Sequence, residues 1–317
     1  MRVVYVYTGH NLPKYAVDSL RQVRQRFPEL DLWFISDSPK SLIRVARLGL
    51  NTWQCSDPQI TFRSILESLD HPMEFRDAFW FRTLARFFIL RDFMTMHPQD
   101  AVLHIESDVW LSPNFPFQFF DSCTSALAFP CISSREAAAS TLFIRDSSAA
   151  EFLTSRSLEI ISNDSSTTDM RILSQIVHEH PELVLQLPSE TATEPFLGIF
   201  DPAPWGMYLF GVDPRNHQGV LKLYEEHSGF STKLGTARFQ VGEENSLAVE
   251  LDGFTFSIFS LHIHSKDRRI FSLSSEREIL LQRTRESSLG PKKVRLWLLT
   301  FMLASKAILR RFGFSIG

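Results

Sequence analysis

Residues 2 to 35 constrain the fold more than any other stretch of this chain. Arg2 leads directly into Val3-Val4-Tyr5-Val6-Tyr7, an apolar strand that stops at Thr8-Gly9-His10. Ala16, Leu20, Val23 and Phe27 then recur at helical spacing, which predicts an amphipathic helix over residues 13–27. Leu32-Trp33-Phe34-Ile35 is a second strand, closed by Ser36-Asp37-Ser38-Pro39. A strand, a helix and a strand joined by short loops pair in parallel through a right-handed crossover. Ligands of such sheets bind beyond the carboxyl ends of the strands, so Thr8, Gly9, His10, Ser36 and Asp37 fall on one candidate binding edge. The plainer alternative for each is an ordinary turn residue.

The 317 residues suffice for one large α/β domain or two modest ones. With 44% hydrophobic residues and 28 phenylalanines, aromatic packing should dominate the core. A formal net charge of -3 gives no global footprint for nucleic acid, and no nucleic-acid partner is expected. Cys55, Cys123 and Cys131 are too few and too irregular for a disulfide framework or a zinc site, and read as reduced thiols of a cytosolic protein. Arg2 leads at once into a strand with no apolar h-region or small-residue cleavage site, so no signal peptide is expected. Without a run of about 18 or more apolar residues, no transmembrane span is expected.

The segment richest in chemistry is Ala101-Val-Leu-His-Ile, a buried strand running into Glu106-Ser107-Asp108 and ended by Pro113. Carboxylates at i and i+2 just after a strand converge on one side of the chain. Hard divalent cations such as Mg²⁺ and Mn²⁺ take one or two such carboxylates, with substrate phosphates completing the shell. Surface acid pairs share this spacing, and the preceding apolar strand is what sets this pair apart. Upstream, residues 77–93 form a strong helix whose buried side is Trp80, Leu84, Phe87, Phe88 and Phe93. Arg82 and Arg86 share a face of it and need partners, which phosphate or active-site carboxylates would supply; an exposed charged face is the alternative.

Further on, strands are expected at residues 125–129 and 139–145 and a helix at 147–162. Asp169 ends a polar loop that caps a helix from Met170 to His180, and is either that cap or an acceptor-binding acid. Residues 195–211 hold Asp201, three prolines, Trp205 and three glycines, a composition suited to a sugar-acceptor platform. Residues 239–260 read as a β-hairpin turning at Asp252-Gly253. It leads to His262-Ile-His264-Ser-Lys266, where strand alternation would point both imidazoles the same way. Imidazole on a cation and ammonium on a phosphate would close a metal–diphosphate site, whereas buried histidines bonded to backbone carbonyls are the plain reading. From Pro291 onward the tail carries six basic residues and no acid, at both ends of an apolar stretch with Trp297 and Phe301. Such a helix suits an anionic membrane interface, and docking on the domain's own core is the alternative.

In this order the motifs resemble those of bacterial GT-A glycosyltransferases with a DxD-type metal motif, here Glu106-x-Asp108. The likeness comprises the nucleotide-binding first half, the Arg-bearing helix Phe79 to Leu90, the acidic turn, the Asp201…Gly206-x-Tyr208…Gly211 stretch and the His262-x-His264-Ser-Lys266 strand. It implies a Rossmann-like α/β fold, a mixed sheet flanked by helices over residues 1–270, with a donor half 1–115, an acceptor half 116–270 and a C-terminal amphipathic helical tail at 271–317. It further implies a nucleoside-diphosphate sugar donor (a UDP- or GDP-sugar), Mn²⁺ or Mg²⁺, and a glycan or lipid-linked acceptor of surface polysaccharide or lipopolysaccharide synthesis. By that resemblance Asp108 is the direct metal ligand, Glu106 contacts ribose or metal-bound water, and one of the histidines, His264 before His262, completes the metal site. Lys266, aided by Arg86, neutralises the leaving diphosphate, while Thr8, Gly9, His10, Asp37, Arg82 and Ser107 line the donor. Asp201, then Asp169, are the candidate general bases if transfer inverts the sugar; retaining transfer needs none. The expected setting is the cytoplasm, peripherally on the inner face of the cell membrane through residues 291–317. A sugar nucleotidyltransferase is the nearest rival, although the loop from Thr8 to Lys14 has one glycine where those enzymes carry several. A non-catalytic membrane-attached binding protein is the other.

Overall fold

The structure, a computed structural model, describes residues 1–9, 11–70, 78–98, 100–211 and 236–288. His10 and the basic tail 291–317 lie outside the described residues.

β1 (Arg2–Val6), α1 (Lys14–Arg26) and β2 (Leu32–Ser36) form the opening crossover, and the two strands pair in parallel with Val4 opposite Trp33. The apolar residues Ala16, Leu20, Val23 and Phe27 are all buried, as amphipathic spacing requires. α2 (Pro39–Ala46) is capped by the Ser38 side chain and returns the chain to β3 (Asn51–Gln54), parallel to β2. Two short helices follow, α3 (Pro58–Thr61) and α4 (Arg63–Ser68), and then the long α5 (Phe79–Met96). α5 delivers β4 (Val102–Ile105) to the other side of β1, again in parallel. The chain thus builds outward from β1 first one way and then the other. The carboxyl ends of β1 and β4 flank the point where strand order reverses, the usual place for a ligand crevice.

After β5 (Val109–Leu111) and α6 (Phe117–Asp121), β6 (Leu127–Pro130) and β7 (Thr141–Ile144) add antiparallel pairs. α7 (Ser147–Asn163) and α8 (Asp169–Glu179) lead to β8 (Val184–Leu187), which runs parallel to β6. The seven-stranded mixed sheet has the order β3-β2-β1-β4-β7-β6-β8. Alternation along β1 sends Val4 and Val6 into a core shared with α5, α7 and α8, and Val3 and Tyr5 into one shared with α1, α2 and α6. The molecule is therefore α/β, a mixed sheet with helices on both faces. Thr168, rather than Asp169, caps α8 by accepting the Arg171 N–H, and Asp169 occupies the first helical turn.

A second sheet has the order β10-β11-β12-β5, formed by β10 (Arg238–Val241), β11 (Leu247–Leu251) and β12 (Phe254–His262) on β5. β9 (Gly198–Phe200) also pairs with β12. The β11–β12 hairpin turns at Asp252 (φ 52°) and Gly253 (φ 84°), the left-handed pair that a tight two-residue turn demands. α9 (Pro204–Phe210) and α10 (Glu276–Ser288) cover this sheet, and Leu280 of α10 is fully buried in its core. Residues 276–288 thus belong to the folded body, and the expected break at residue 270 has no counterpart in the packing.

Aromatic residues of the stretch 195–211 do not form an open platform. Phe196, Phe200, Trp205 and Phe210 are all buried, and Phe200 packs edge-on against Phe115, Phe120 and Phe196. The prolines and glycines shape a core crossing, because the burial of four large rings outweighs anything gained by leaving them in water.

Candidate metal and donor-binding site

The acidic turn connects two sheets. Glu106 leaves the end of β4, and Ser107 and Asp108 turn the chain into β5. β5 pairs antiparallel with the last residues of β12, placing His262 opposite Val109. This pairing spans more than 150 residues of chain and brings an imidazole to the acidic turn. Ligand atoms of Glu106, Asp108 and His262 all lie within 4.8 Å of one another. His262 Nε2 is 3.2 Å from Asp108 Oδ2 and 3.6 Å from Glu106 Oε2. The other ring nitrogen, Nδ1, is 2.9 Å from the carbonyl oxygen of Pro202. In the tautomer that donates from Nδ1 to this carbonyl, Nε2 would be the nitrogen available to a cation.

β12 ends at His262, and the chain then turns, with the His264 N–H donating to the His262 carbonyl at 3.0 Å. His264 therefore does not continue the strand alternation. Its ring sits 4.4 Å from that of His262 between centroids, outside the donor group. Lys266, with φ 57°, brings its ammonium into contact with Asp108 Oδ2 and 5.3 Å from the Tyr15 ring centroid.

Arg86 is the cation that organises the acidic side. Its Nη1 pairs with Glu106, its Nη2 with Asp169 Oδ2 at 2.9 Å, and its Nε donates to the Thr83 carbonyl at 3.0 Å. The guanidinium is thereby taken up by carboxylates and a carbonyl, which leaves it poorly placed to reach a phosphate. Burial pushes the Glu106 carboxyl up, but Arg86 and His262 outweigh it and hold the group well below the usual carboxylate range. Asp169 moves the other way: burial, reinforced by the like charge of Glu106, exceeds the pull of Arg86. Beneath them the His104 imidazole donates from Nδ1 to the Val4 carbonyl at 3.0 Å, and burial followed by Arg86 pushes its pKa down to about 3.

Asp201 is fully buried and accepts four backbone N–H groups: Ala203 (3.0 Å), Trp205 (3.0 Å), Gly206 (2.7 Å) and His262 (3.0 Å). Burial raises its carboxyl to about 6 against these four donors. Both oxygens clasp the start of α9 to the end of β12, so the general-base role expected for Asp201 does not fit its placement. Gly206 completes this junction, since a Cβ there would stand 2.0 Å from the His262 carbonyl oxygen.

The residues of the candidate binding edge sit as the crossover requires. Gly9 (φ 135°) donates its N–H to Asp37 Oδ1 at 2.9 Å, tying the ends of β1 and β2. Arg82 lies against Gly9, its Nη1 3.7 Å from where a Cβ would be, and Thr8 is buried beside it. Ser107 is half-buried in the acidic turn. Two groups escaped the sequence reading: the Pro202 carbonyl, which has no side-chain signature, and Tyr15, whose spacing from Lys266 in the chain says nothing of their contact.

Fold and site together define a class: an α/β protein with two carboxylates, an imidazole and a lysine gathered where strand order reverses. No family model matches the chain, and no curated protein matches it. Among solved structures, the galactosyltransferase LgtC in complex with donor and acceptor sugar analogues is similar at 14% identity, covering 93% of this chain and 99% of that one, with a TM-score of 0.49. The bifunctional glycosyltransferase WbbM is similar at 10% identity over 93% of this chain and 51% of its own, TM-score 0.45. A cytidylyltransferase from Leptospira borgpetersenii serovar Hardjo-bovis is similar at 11% identity over 60% of this chain and 76% of that one, TM-score 0.33. Likenesses of this strength leave function to be argued from the site.

Proposed function

We propose that this protein is a metal-dependent glycosyltransferase of the GT-A type that takes its sugar from a nucleoside diphosphate. The observation that carries the reading is the convergence of Glu106, Asp108 and His262 within 4.8 Å, at the strand-order reversal and beside Lys266. Two carboxylate oxygens and one imidazole nitrogen suit Mn²⁺, and Mg²⁺ with more water in its shell. Asp108, Glu106 and His262 Nε2 would hold the cation, which when bound supplies charge neutralisation for a diphosphate leaving group.

The chain's own residues do the remainder. Arg86 fixes the orientation of Glu106, and the Pro202 carbonyl fixes the tautomer of His262. Lys266 places an ammonium where negative charge grows on the departing phosphate. Thr8, Gly9, Asp37 and Arg82 bound the nucleotide along the ends of β1 and β2. Asp201 and Asp169 are both committed to structural bonds, which favours transfer with retention, since that outcome needs no side-chain base. The basic, apolar tail 291–317 supports attachment to an anionic cytoplasmic membrane surface and hence a lipid-linked acceptor of surface-glycan synthesis.

Calorimetric titration of UDP and of GDP, each with and without Mn²⁺, tests the core of this reading. Metal-dependent binding of one nucleotide, abolished by Asp108→Ala, is expected; a folded protein that binds neither would overturn it. For the tail, truncation after residue 290 should release the protein from anionic vesicles, and unchanged vesicle binding would refute the attachment.

A further inference from the structure

One face of α1 carries Tyr15, Asp18, Gln22 and Arg26, three or four residues apart, and each grips the same downstream segment. The Tyr15 ring lies 5.3 Å from Lys266 Nζ. Asp18 Oδ2 accepts from Arg268 Nε at 2.6 Å. Gln22, 1% exposed, donates its side-chain N–H to the Ile270 carbonyl at 3.0 Å. Arg26 pairs with the fully buried carboxylate of Glu276. The order along the helix is the order along the segment, so residues 266–276 follow α1 over roughly 16 Å, at about 1.5 Å per helical residue.

The head of this ladder reaches the site, and its foot holds the strand that leaves the acidic turn. At the foot, Arg26 also donates to the Leu111 carbonyl at 2.6 Å, and the Trp110 indole donates to Glu276. Trp110 and Leu111 belong to β5, which begins immediately after Asp108. At the head stands Lys266, in contact with Asp108 itself. Lys266 occupies the left-handed region at φ 57°, a conformation a lysine adopts only when its surroundings hold it there. One helix thus supports the two strands of chain whose side chains meet in the site.

We propose that Tyr15, Asp18, Gln22 and Arg26 are positioning residues that set where the Lys266 ammonium stands relative to Asp108. Through them the helix that follows the loop after β1 governs the diphosphate end of the site. This deepens the glycosyltransferase reading and rests on it for the role of Lys266.

Two measurements on the full-length protein test it, using Asp18→Asn at the more exposed rung and Gln22→Met at the buried one. Amide hydrogen exchange needs no ligand. The N–H groups of His264 and Lys266, which donate to His262 and Ile263, should exchange at least about threefold faster in the variants, with β1 and β4 unchanged. Calorimetry with Mn²⁺ and whichever of UDP or GDP the wild type binds should show nucleotide affinity about three- to tenfold weaker, with Mn²⁺ binding alone unchanged. In a Lys266→Ala background the same substitutions should cause no further loss, because their effect runs through that ammonium. Unchanged exchange at both amides overturns the proposal, and so does an equal affinity loss in the Lys266→Ala background. A clear exchange response in a protein that binds neither nucleotide would overturn the donor reading instead, and with it the part assigned to Lys266.

Discussion

The imidazole of His262 is held from behind by the carbonyl oxygen of Pro202, 2.9 Å from Nδ1, while Nε2 faces Asp108 Oδ2 at 3.2 Å. This relationship separates the two histidines that sequence alone left paired. His262→Ala should weaken Mn²⁺ binding by at least about tenfold, as loss of a ligand or its support commonly does. His264→Ala should leave it within about twofold on the same principle of ligand hierarchy. Titration of the two variants with Mn²⁺ decides the matter, and equal losses would place the metal nearer His264.

Asp201 tells a different story from a catalytic acid. Its four backbone N–H partners would meet an amide instead of a carboxylate in Asp201→Asn, leaving at least one N–H facing another N–H. Losing a buried hydrogen bond and stranding its partner costs on the order of 2–4 kcal/mol. Urea denaturation should record that loss. A variant as stable as wild type whose turnover alone collapses would restore Asp201 as a base.

Arg86 is the counterion of the buried Asp169 and the half-buried Glu106. Arg86→Met removes the counterion that Glu106 and Asp169 share, a change worth about 3–5 kcal/mol of stability. Arg86→Lys keeps the charge but not the forked geometry, and should recover part of the loss. Denaturation midpoints that do not move in Arg86→Met would show the two carboxylates to be solvated or protonated.

The thiols supply a chemical check. Burial pushes Cys55 up to about 12 and Cys131 up to about 11, so the neutral thiol prevails at pH 8. A raised pKa lowers the thiolate fraction, to about one part in ten thousand and one in a thousand respectively. Iodoacetamide at pH 8 should therefore label neither residue appreciably in the native protein and both in urea. Rapid native labelling of Cys55 would contradict its burial.

What the chain disclosed on its own follows from local physics. Helical and strand periodicities near the N-terminus sufficed to place β1, α1 and β2 and to put Thr8, Gly9 and Asp37 on one edge, because short loops leave few ways to pair such elements. The Asp252-Gly253 turn was legible for the same reason, since its two left-handed residues are a local demand. The acidic pair Glu106 and Asp108 stood out by following an apolar strand.

Tertiary structure decided the rest, because it depends on contacts that no spacing encodes. Only the pairing of β5 with β12 brings His262 to Asp108, and only the turn after His262 sets His264 aside. In the sequence Asp201 reads as a candidate base, and Arg86 as a cation whose partners are either phosphate or active-site carboxylates. The fold buries both and occupies their bonding capacity, one with backbone N–H groups and the other with carboxylates. A polar side chain carries the same letter whether it serves a substrate or satisfies the interior. Which it does is fixed by the neighbours that folding brings within hydrogen-bonding reach.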